Sequence, residues 1–223
     1  MPWASKGANG VSMLEQDGSS SDVYFYDPRD GHGLPHDPFK AIVAPRPIGW
    51  ISTVDGAGRV NLAPYSFFNA FSSHPPIVGF SSEGRKHSLA NAEATREFVC
   101  NLATEELAPA MNRTSAPVAA GVDEMALAGL AATPSRHVRP PRVAATPAAL
   151  ECRVVEILRL SDIGGRRLDK YLVLGQVVGV HLRRAYLKDG RFDTAGARPI
   201  ARCGYGGDYA MVDSLFEMTR PKE

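Results

Sequence analysis

A long, almost uncharged stretch most constrains what this chain can fold into. Between Pro47 and Ser82, 36 residues carry only two charges, Asp55 and Arg59. At the chain average of 22% charged residues, about eight would be expected. The length from Val60 to Ser82 would suit a membrane span, but prolines, asparagines and serines interrupt it. We therefore expect a soluble globular protein without a transmembrane segment.

Strand and turn signals alternate through the first half of the chain. Pro47–Val54 and Val60–Ser66 are predicted strands, and the glycine-rich turn Asp55–Gly58 between them predicts a hairpin. Ile77–Ser81 and Phe98–Leu102 are further strand candidates. This half of the chain is therefore predicted to be mainly β.

The second half carries the strongest β signal. Ala148–Leu160 and Leu168–Leu182 flank a Gly-Gly pair and predict a long antiparallel hairpin. Helices are expected to be few and short: one opening at Ser88 as its N-cap, and two more within 105–112 and 123–130. The fold class predicted is mainly β, a split, Greek-key-like antiparallel β-barrel with short peripheral α-helices.

Charge and cysteine content exclude several functions. The formal net charge of +1 argues against nucleic-acid binding or an anionic membrane surface. Cys100, Cys152 and Cys203 lie about fifty residues apart, which predicts no disulfide framework, zinc site or redox pair and favours a cytoplasmic protein. Residues 1–22 are expected to be a disordered arm, and residues 23–223 a single domain.

The uncharged stretch is nonetheless polar and aromatic. Apolar walls with a few neutral hydrogen-bonding groups suit a cleft for a large planar ligand. On composition alone, the core of a β-sandwich with serine-rich turns explains the stretch better. The residues concerned are Ser52, Thr53, Asn61, Ser66, Asn69, Ser72, Ser73, Ser81 and Ser82, with Trp50, Tyr65, Phe67, Phe68, Phe71 and Phe80.

A short basic segment directly after this stretch favours the cleft. Arg85, Lys86 and Ser88 stand at the predicted start of a helix, where free backbone N–H groups and the helix dipole favour phosphate. Taken alone, an exposed basic loop with an ordinary serine cap explains them better. Beside a neutral aromatic cleft, they predict a planar cofactor that carries a phosphate.

Motifs of other nucleotide-binding and hydrolytic folds are absent from the sequence. It contains no G-x-G-x-x-G, no P-loop and no G-x-S-x-G elbow. His32 and His36 are spaced like metal ligands on a helix, but Gly33 and Pro35 disfavour a helix there. We predict no metal site and no side chain acting as a catalytic acid or base.

Several ordered segments of the chain form a familiar series. They are R-P-I-G-W-I-S-T (46–53), N-L-A-P-Y-S-F-F-N (61–69), S-S-H-P-P-I-V-G-F-S (72–81), R-K-H-S-L-A-N (85–91), G-V-D-E (121–124), P-P-R-V (140–143), A-L-E-C (149–152) and G-G-D-Y-A (206–210). Together these segments resemble the flavin reductase-like family, the flavoredoxin group with the FMN-binding split barrel. The resemblance covers roughly residues 38–219.

This resemblance implies a homodimer that binds FMN near the subunit interface and takes electrons from NADH or NADPH. The implied phosphate ligands are Arg85, Lys86 and Ser88, where the family often has Lys-Asp-Thr in place of Lys86-His87-Ser88. Gly206–Tyr209 is expected to close the site, in the same chain or in the partner subunit. The other implied cofactor-binding residues are Trp50, Ser52, Thr53, Asn61, Ala63, Pro64, Tyr65, Ser66, Asn69 and Ser81.

Three functions follow from the resemblance as hypotheses. The first is NAD(P)H-dependent reduction of FMN, with reduced flavin supplied to a separate monooxygenase. The second is an FMN-binding electron carrier without nicotinamide turnover. The third is a split-barrel binding protein that is not an enzyme. Flavin chemistry needs little acid–base machinery from the protein, so the absence of catalytic carboxylates is compatible with the first two.

Overall fold

The structure is a computed structural model that describes residues 22–119 and 121–221. By its internal contacts the chain divides into two compact units between Asp37 and Pro38. The described part of the first unit, from Asp22 to Asp37, contains no helix or strand. Apart from Asp22, the arm predicted for residues 1–22 lies outside the described residues.

Short helices and longer strands alternate in the second unit. In chain order, the elements are α1 (Phe39–Ile42), β1 (Arg46–Pro47), β2 (Gly49–Val54), β3 (Val60–Tyr65), β4 (Phe68–Ser73), β5 (Pro76–Glu83), α2 (His87–Thr95), β6 (Glu97–Leu102), α3 (Ala108–Arg113), α4 (Glu124–Leu127), β7 (Ala132–Thr133), β8 (Arg142–Val143), β9 (Ala148–Ser161), β10 (Arg167–Leu182), a 3₁₀ turn (Arg184–Tyr186), β11 (Leu187–Lys188), β12 (Arg191–Phe192), α5 (Thr194–Ala197), β13 (Ile200–Arg202) and β14 (Tyr209–Met211).

An antiparallel sheet of seven strands forms the centre of this unit, in the order β3-β2-β6-β9-β10-β5-β4. Both predicted hairpins are present: Trp50 pairs with Pro64 between β2 and β3, and Val154 with Gly175 between β9 and β10. A smaller sheet, β1-β13-β14, accompanies the large one. The mainly β architecture with short helices therefore agrees with the sequence prediction.

Three local predictions need correction. Helix α2 begins at His87 with Lys86 as its N-cap, so Ser88 lies inside the first turn and is not the cap. Strand β4 lies at one edge of the large sheet and was not predicted, because only Ser66 and Phe67 separate it in sequence from strand β3. The helix expected over 105–112 is α3, which starts later and carries its proline in the first turn, where proline is tolerated.

Strand β2 is buried along its whole length because it separates two hydrophobic clusters. Ile51 packs in one cluster with Phe80 and Phe98, whose ring centroids lie 5.4 Å apart. Trp50 points into the other cluster, beside Met111. Both faces of this strand are therefore occupied by core.

Two of the three cysteines, Cys100 and Cys152, are buried in the packed β core, whereas Cys203 is partly exposed. All three are free thiols, and burial raises the pKa of the Cys100 thiol to about 12. Within ranges 22–119 and 121–221, no group of three metal-ligating side chains comes together. Among the same residues, the helices are too short or too polar to span a bilayer.

Candidate functional site

A pocket of about 520 Å³ opens beside the link between β3 and β4. Its volume lies within the roughly 300–1,000 Å³ typical of small-molecule sites. Three stretches of chain contribute most of the wall: residues 63–67, residues 85–88 and residues 114–118. Lys40 and Glu124 complete it from α1 and α4.

The start of helix α2 forms a cationic end of the pocket. The N-cap residue Lys86 makes no side-chain capping bond, whereas Asp123 caps α4 with bonds to two backbone N–H groups. The first-turn N–H groups of α2 therefore lack a side-chain cap and border a cavity also lined by Arg85, Lys86 and His87. Uncapped N–H groups with cationic neighbours are the features that bind phosphate at a helix N-terminus.

Acidic side chains pair with only some of the cations at this end. Arg85 forms a 2.5 Å ion pair with Glu93, and Lys170 forms one of 2.9 Å with Glu83. The bond from Lys170 lowers the pKa of the Glu83 carboxyl. Within the described part of the chain, Lys86 has no ion-pair partner, so its charge is available to a ligand.

Buried polar groups form a connected wall on the other side of α2. The Glu124 carboxylate is 4% exposed and accepts a 2.9 Å hydrogen bond from the Leu62 N–H. The side-chain amide of Asn61 is oriented so that each of its atoms has a suitable hydrogen-bond partner. Its nitrogen donates to Glu124 at 3.2 Å, and its oxygen accepts from the Ser88 hydroxyl at 2.9 Å. Glu124 thereby links α4 to the edge strand β3 and, through Asn61, to α2.

Tyr65 adds a phenol to this polar wall. Burial raises its pKa, although hydrogen bonds with Ser88 and Ser82 act in the opposite direction. The phenol therefore stays protonated at neutral pH. Its ring centroid lies 4.7 Å from that of Phe80, so the aromatic body belongs to the core while the residue also borders the pocket.

The structure brings together nine of the thirteen residues proposed from the sequence. They come from β3 and the link after it, from β5, and from the start of α2. All line the one cavity. They are Asn61, Ala63, Pro64, Tyr65, Ser66, Ser81, Arg85, Lys86 and Ser88.

The other four lie outside this cavity wall. The Ser52 hydroxyl donates to the Pro141 carbonyl at 2.6 Å, and the Thr53 hydroxyl accepts from the Asn91 amide at 3.0 Å. Asn69 is exposed on β4, and its side-chain oxygen accepts from the following N–H. Trp50 is buried in the core behind Thr114, to which its indole nitrogen donates. Gly206–Tyr209 also does not line the cavity within one chain.

Several pocket residues carried no sequence signal. Lys40 and the loop from Thr114 to Val118 are far apart in sequence and lie in segments without a distinctive pattern. Glu83 opens the basic segment but was not proposed as a site residue. Phe67 and Glu124 were part of recognised segments but were not proposed as site residues.

A second cluster of titratable groups lies on β9 and β10, away from these walls. Glu151 is completely buried and accepts hydrogen bonds from the N–H groups of Arg136 at 2.7 Å and His137 at 2.6 Å. The His181 ring completes the cluster through its Nε2 atom. Burial alone would raise the pKa of Glu151, but these three bonds lower it to about 2.

Comparison with known proteins agrees with this geometry. A model described as "Flavin reductase like domain" matches residues 43–196. An uncharacterized protein from Deinococcus radiodurans is 38% identical over 193 residues, covering 81% of this chain and 82% of that protein.

Solved structures resemble the whole fold. Nitrilotriacetate monooxygenase component B from Bacillus cereus aligns with a TM-score of 0.76 and 26% identity, covering 95% of this chain and 100% of that chain. A structure with a split barrel domain from Shewanella frigidimarina aligns with a TM-score of 0.73 and 21% identity, covering 82% and 90%. The predicted split-barrel fold is thereby confirmed.

Proposed function

Because the chain belongs to the flavin reductase-like domain family, we propose that its pocket binds FMN and that the protein reduces FMN with NADH or NADPH. The observation that carries the proposal is the composition of the pocket. One end combines an uncapped helix N-terminus with cations, and the remaining wall is mainly polar and aromatic, with Lys40, Glu83 and Glu124 as its charged members.

The residues present fit a flavin mononucleotide. Its single phosphate matches the first turn of α2, where Arg85 and Lys86 supply positive charge. Ser88 is the buried hydroxyl of this turn and is already bonded to Asn61. We therefore assign phosphate binding mainly to Lys86 and the backbone N–H groups, and a positioning role to Ser88.

The opposite wall fits the polar edge of a planar ring system. β3 is an edge strand of the large sheet, so backbone groups on its outer side have no neighbouring strand. Segment 63–67 continues this edge along the pocket. We propose that its backbone groups and the Ser66 hydroxyl bind the ring edge, while Phe67 covers part of the ring face.

The pocket residues need only to bind and orient the reactants. When bound, FMN supplies the hydride-accepting chemistry, and the nicotinamide nucleotide supplies the hydride. The protonated Tyr65 hydroxyl and neutral backbone donors stabilise negative charge without accepting protons. Glu124 is held by hydrogen bonds from Leu62 and Asn61, so we assign it a positioning role rather than that of a general base.

One spectroscopic experiment tests the proposal. The purified protein, mixed with FMN, is expected to bind it, and its flavin absorbance is expected to bleach anaerobically on addition of NADH or NADPH. Protein that shows no FMN binding in a titration would contradict the site, and FMN-bound protein that neither nucleotide bleaches would contradict the reductase activity. The second outcome would instead favour an electron carrier reduced by another protein.

We further propose that reduced FMN passes to a separate monooxygenase. Support comes from the similarity to a protein named as a monooxygenase component.

A homodimer is proposed from the apolar surface of the β9–β10 hairpin, where Val155, Leu158, Leu160 and Ile163 are exposed in the single chain. Light scattering on the purified protein tests the dimer. Three free thiols are consistent with a cytoplasmic location.

A further inference from the structure

Arg46 is a buried cation that contacts two residues of the pocket wall. Its side chain belongs to the short strand β1 and is 7% exposed. One guanidinium nitrogen donates to the backbone carbonyls of Lys40 and Val43. The guanidinium carbon lies 5.9 Å from the centroid of the Phe67 ring. Lys40 and Phe67 both line the pocket, so Arg46 lies directly behind its wall.

No carboxylate balances this charge within the part of the chain that the structure describes. Arg46 forms no ion pair there, and its Nε atom has no hydrogen-bond partner. An arginine side chain remains protonated in proteins, so the charge is permanent. Buried charges without an ionic partner are costly, and their field is weakened less by solvent than that of an exposed charge.

The cations at the start of α2 differ from Arg46 in their exposure to solvent. Arg85 and Lys86 are exposed, and Arg85 is paired with Glu93. Water and salt screen such charges over short distances. They serve a ligand group that touches them, whereas the Arg46 charge raises the electrostatic potential throughout the adjacent part of the pocket.

We propose that Arg46 makes this pocket bind reduced FMN more tightly than oxidised FMN, an inference that rests on the proposed function. The overall reaction is FMN + NAD(P)H → FMNH⁻ + NAD(P)⁺: the hydride brings two electrons and one proton, so the bound flavin gains one negative charge. A neighbouring permanent cation stabilises that charge. The phosphate charge is the same in both redox states, so Arg85 and Lys86 do not produce this preference.

The midpoint potential of FMN bound to the wild-type protein is the first test. Tighter binding of the reduced form raises this potential above that of free FMN, and a tenfold difference in affinity corresponds to about 30 mV for two electrons. We expect a rise of at least that size. A potential equal to or below that of free FMN would overturn the inference while leaving FMN binding and bleaching intact. Failure to bind FMN would instead refute the proposed function itself.

Substitutions separate the charge of Arg46 from its structural contacts. Arg46→Met removes the charge and is expected to reduce the ratio of reduced to oxidised affinity about tenfold, whereas Arg46→Lys keeps most of that ratio. Arg85→Ala is the matched control, because it should weaken both forms by the same factor. A purely structural role predicts that Arg46→Met also weakens both forms equally. If Arg46→Met does not fold, the midpoint potential of the wild type and the affinity ratio of Arg46→Lys still test the proposal.

Discussion

The indole nitrogen of Trp50 donates a 2.9 Å hydrogen bond to the hydroxyl of Thr114, which stands 64 positions later and lines the pocket. This buried bond joins the core strand β2 to the loop that forms one pocket wall. Thr114 also donates to the Met111 carbonyl at 2.7 Å, which fixes the direction of its hydroxyl. Trp50 therefore acts on the pocket through Thr114.

The Trp50–Thr114 bond can be measured with a double-mutant cycle. We expect Trp50→Phe and Thr114→Val each to lower the free energy of unfolding, with a coupling of about 1 kcal/mol, because each removes the partner of the other. Urea unfolding of the four proteins gives the coupling. Thr146→Val is the control, since its hydroxyl donates to the carbonyls of Leu102 and Ala148, and its effect should simply add to that of Trp50→Phe. Full additivity for Thr114 as well would contradict the role of the bond.

Replacing Arg85 and Lys86 by alanine is expected to weaken FMN binding and to leave the fold intact. Hydrogen bonds to charged groups contribute about 1.5–3 kcal/mol each, so the double variant, which loses mainly the bond from Lys86, should lose roughly tenfold to hundredfold in affinity. Of the two single variants, Lys86→Ala should weaken FMN binding more than Arg85→Ala, because Arg85 is engaged with Glu93. Fluorescence titration with FMN gives the affinities.

The control for these variants is Arg166→Ala, an exposed arginine paired with Asp162 in the β9–β10 turn. Arg166→Ala removes positive charge, as the pocket substitutions do, but this residue does not line the pocket. Equal FMN affinities for the wild type and the double variant would place the phosphate site elsewhere.

Sequence patterns predicted the strands of the central sheet but not the complete pocket. Asn61 and residues 63–66 line it because they lie close together along an edge strand and the link after it, which a local pattern can show. The family resemblance also implied Ser52 and Thr53 on β2, yet both faces of that strand are covered by core. The alternation of a strand identifies two faces but does not say what covers each.

Long-range hydrogen bonds explain the other differences. Ser88 was expected to cap its own helix, but its hydroxyl bonds with Asn61, 27 positions away. Lys40 and the loop from Thr114 to Val118 reach the pocket only through tertiary packing. No spacing rule relates them to Lys86, so a single sequence gives no signal for these contacts.

The buried carboxylate of Glu151 is expected to make stability depend on acid pH. Its pKa is about 2, against roughly 4.3 for an unperturbed glutamate, so ionisation favours the folded state by about 3 kcal/mol. This contribution is complete above pH 5 and is lost as pH falls from about 4 to 2. Glu151→Gln should therefore be less stable than wild type at pH 7, with the difference shrinking toward pH 2.

Urea unfolding from pH 2 to pH 7 checks this prediction. Glu156→Gln, an exposed substitution on the same strand, should show no such pH-dependent difference. If Glu151→Gln lowers the free energy of unfolding by the same amount over the whole pH range, packing and not ionisation causes the loss.

Gly175 on β10 leaves room for the Phe98 ring. A Cβ atom at this position would overlap Phe98 Cε1 and lie 3.1 Å from Cys152 Cβ. Gly175→Ala is therefore expected to lower the free energy of unfolding by about 1–3 kcal/mol through overpacking. Gly56→Ala, where a Cβ meets nothing within 4 Å, should change it by less than about 0.5 kcal/mol. Equal effects in thermal unfolding would show that Phe98 can move aside.

The link between β3 and β4 gives the fold a property that a fully hydrogen-bonded barrel lacks. These strands are consecutive in sequence but lie at opposite edges of the seven-stranded sheet, and Ser66 and Phe67 connect them along the pocket. The seam of the barrel is therefore bordered by a cavity where a continuous ladder would otherwise run. A molecule seated there contacts β3 and the link that leads to β4, so ligand occupancy and cooperative unfolding become a single linked equilibrium.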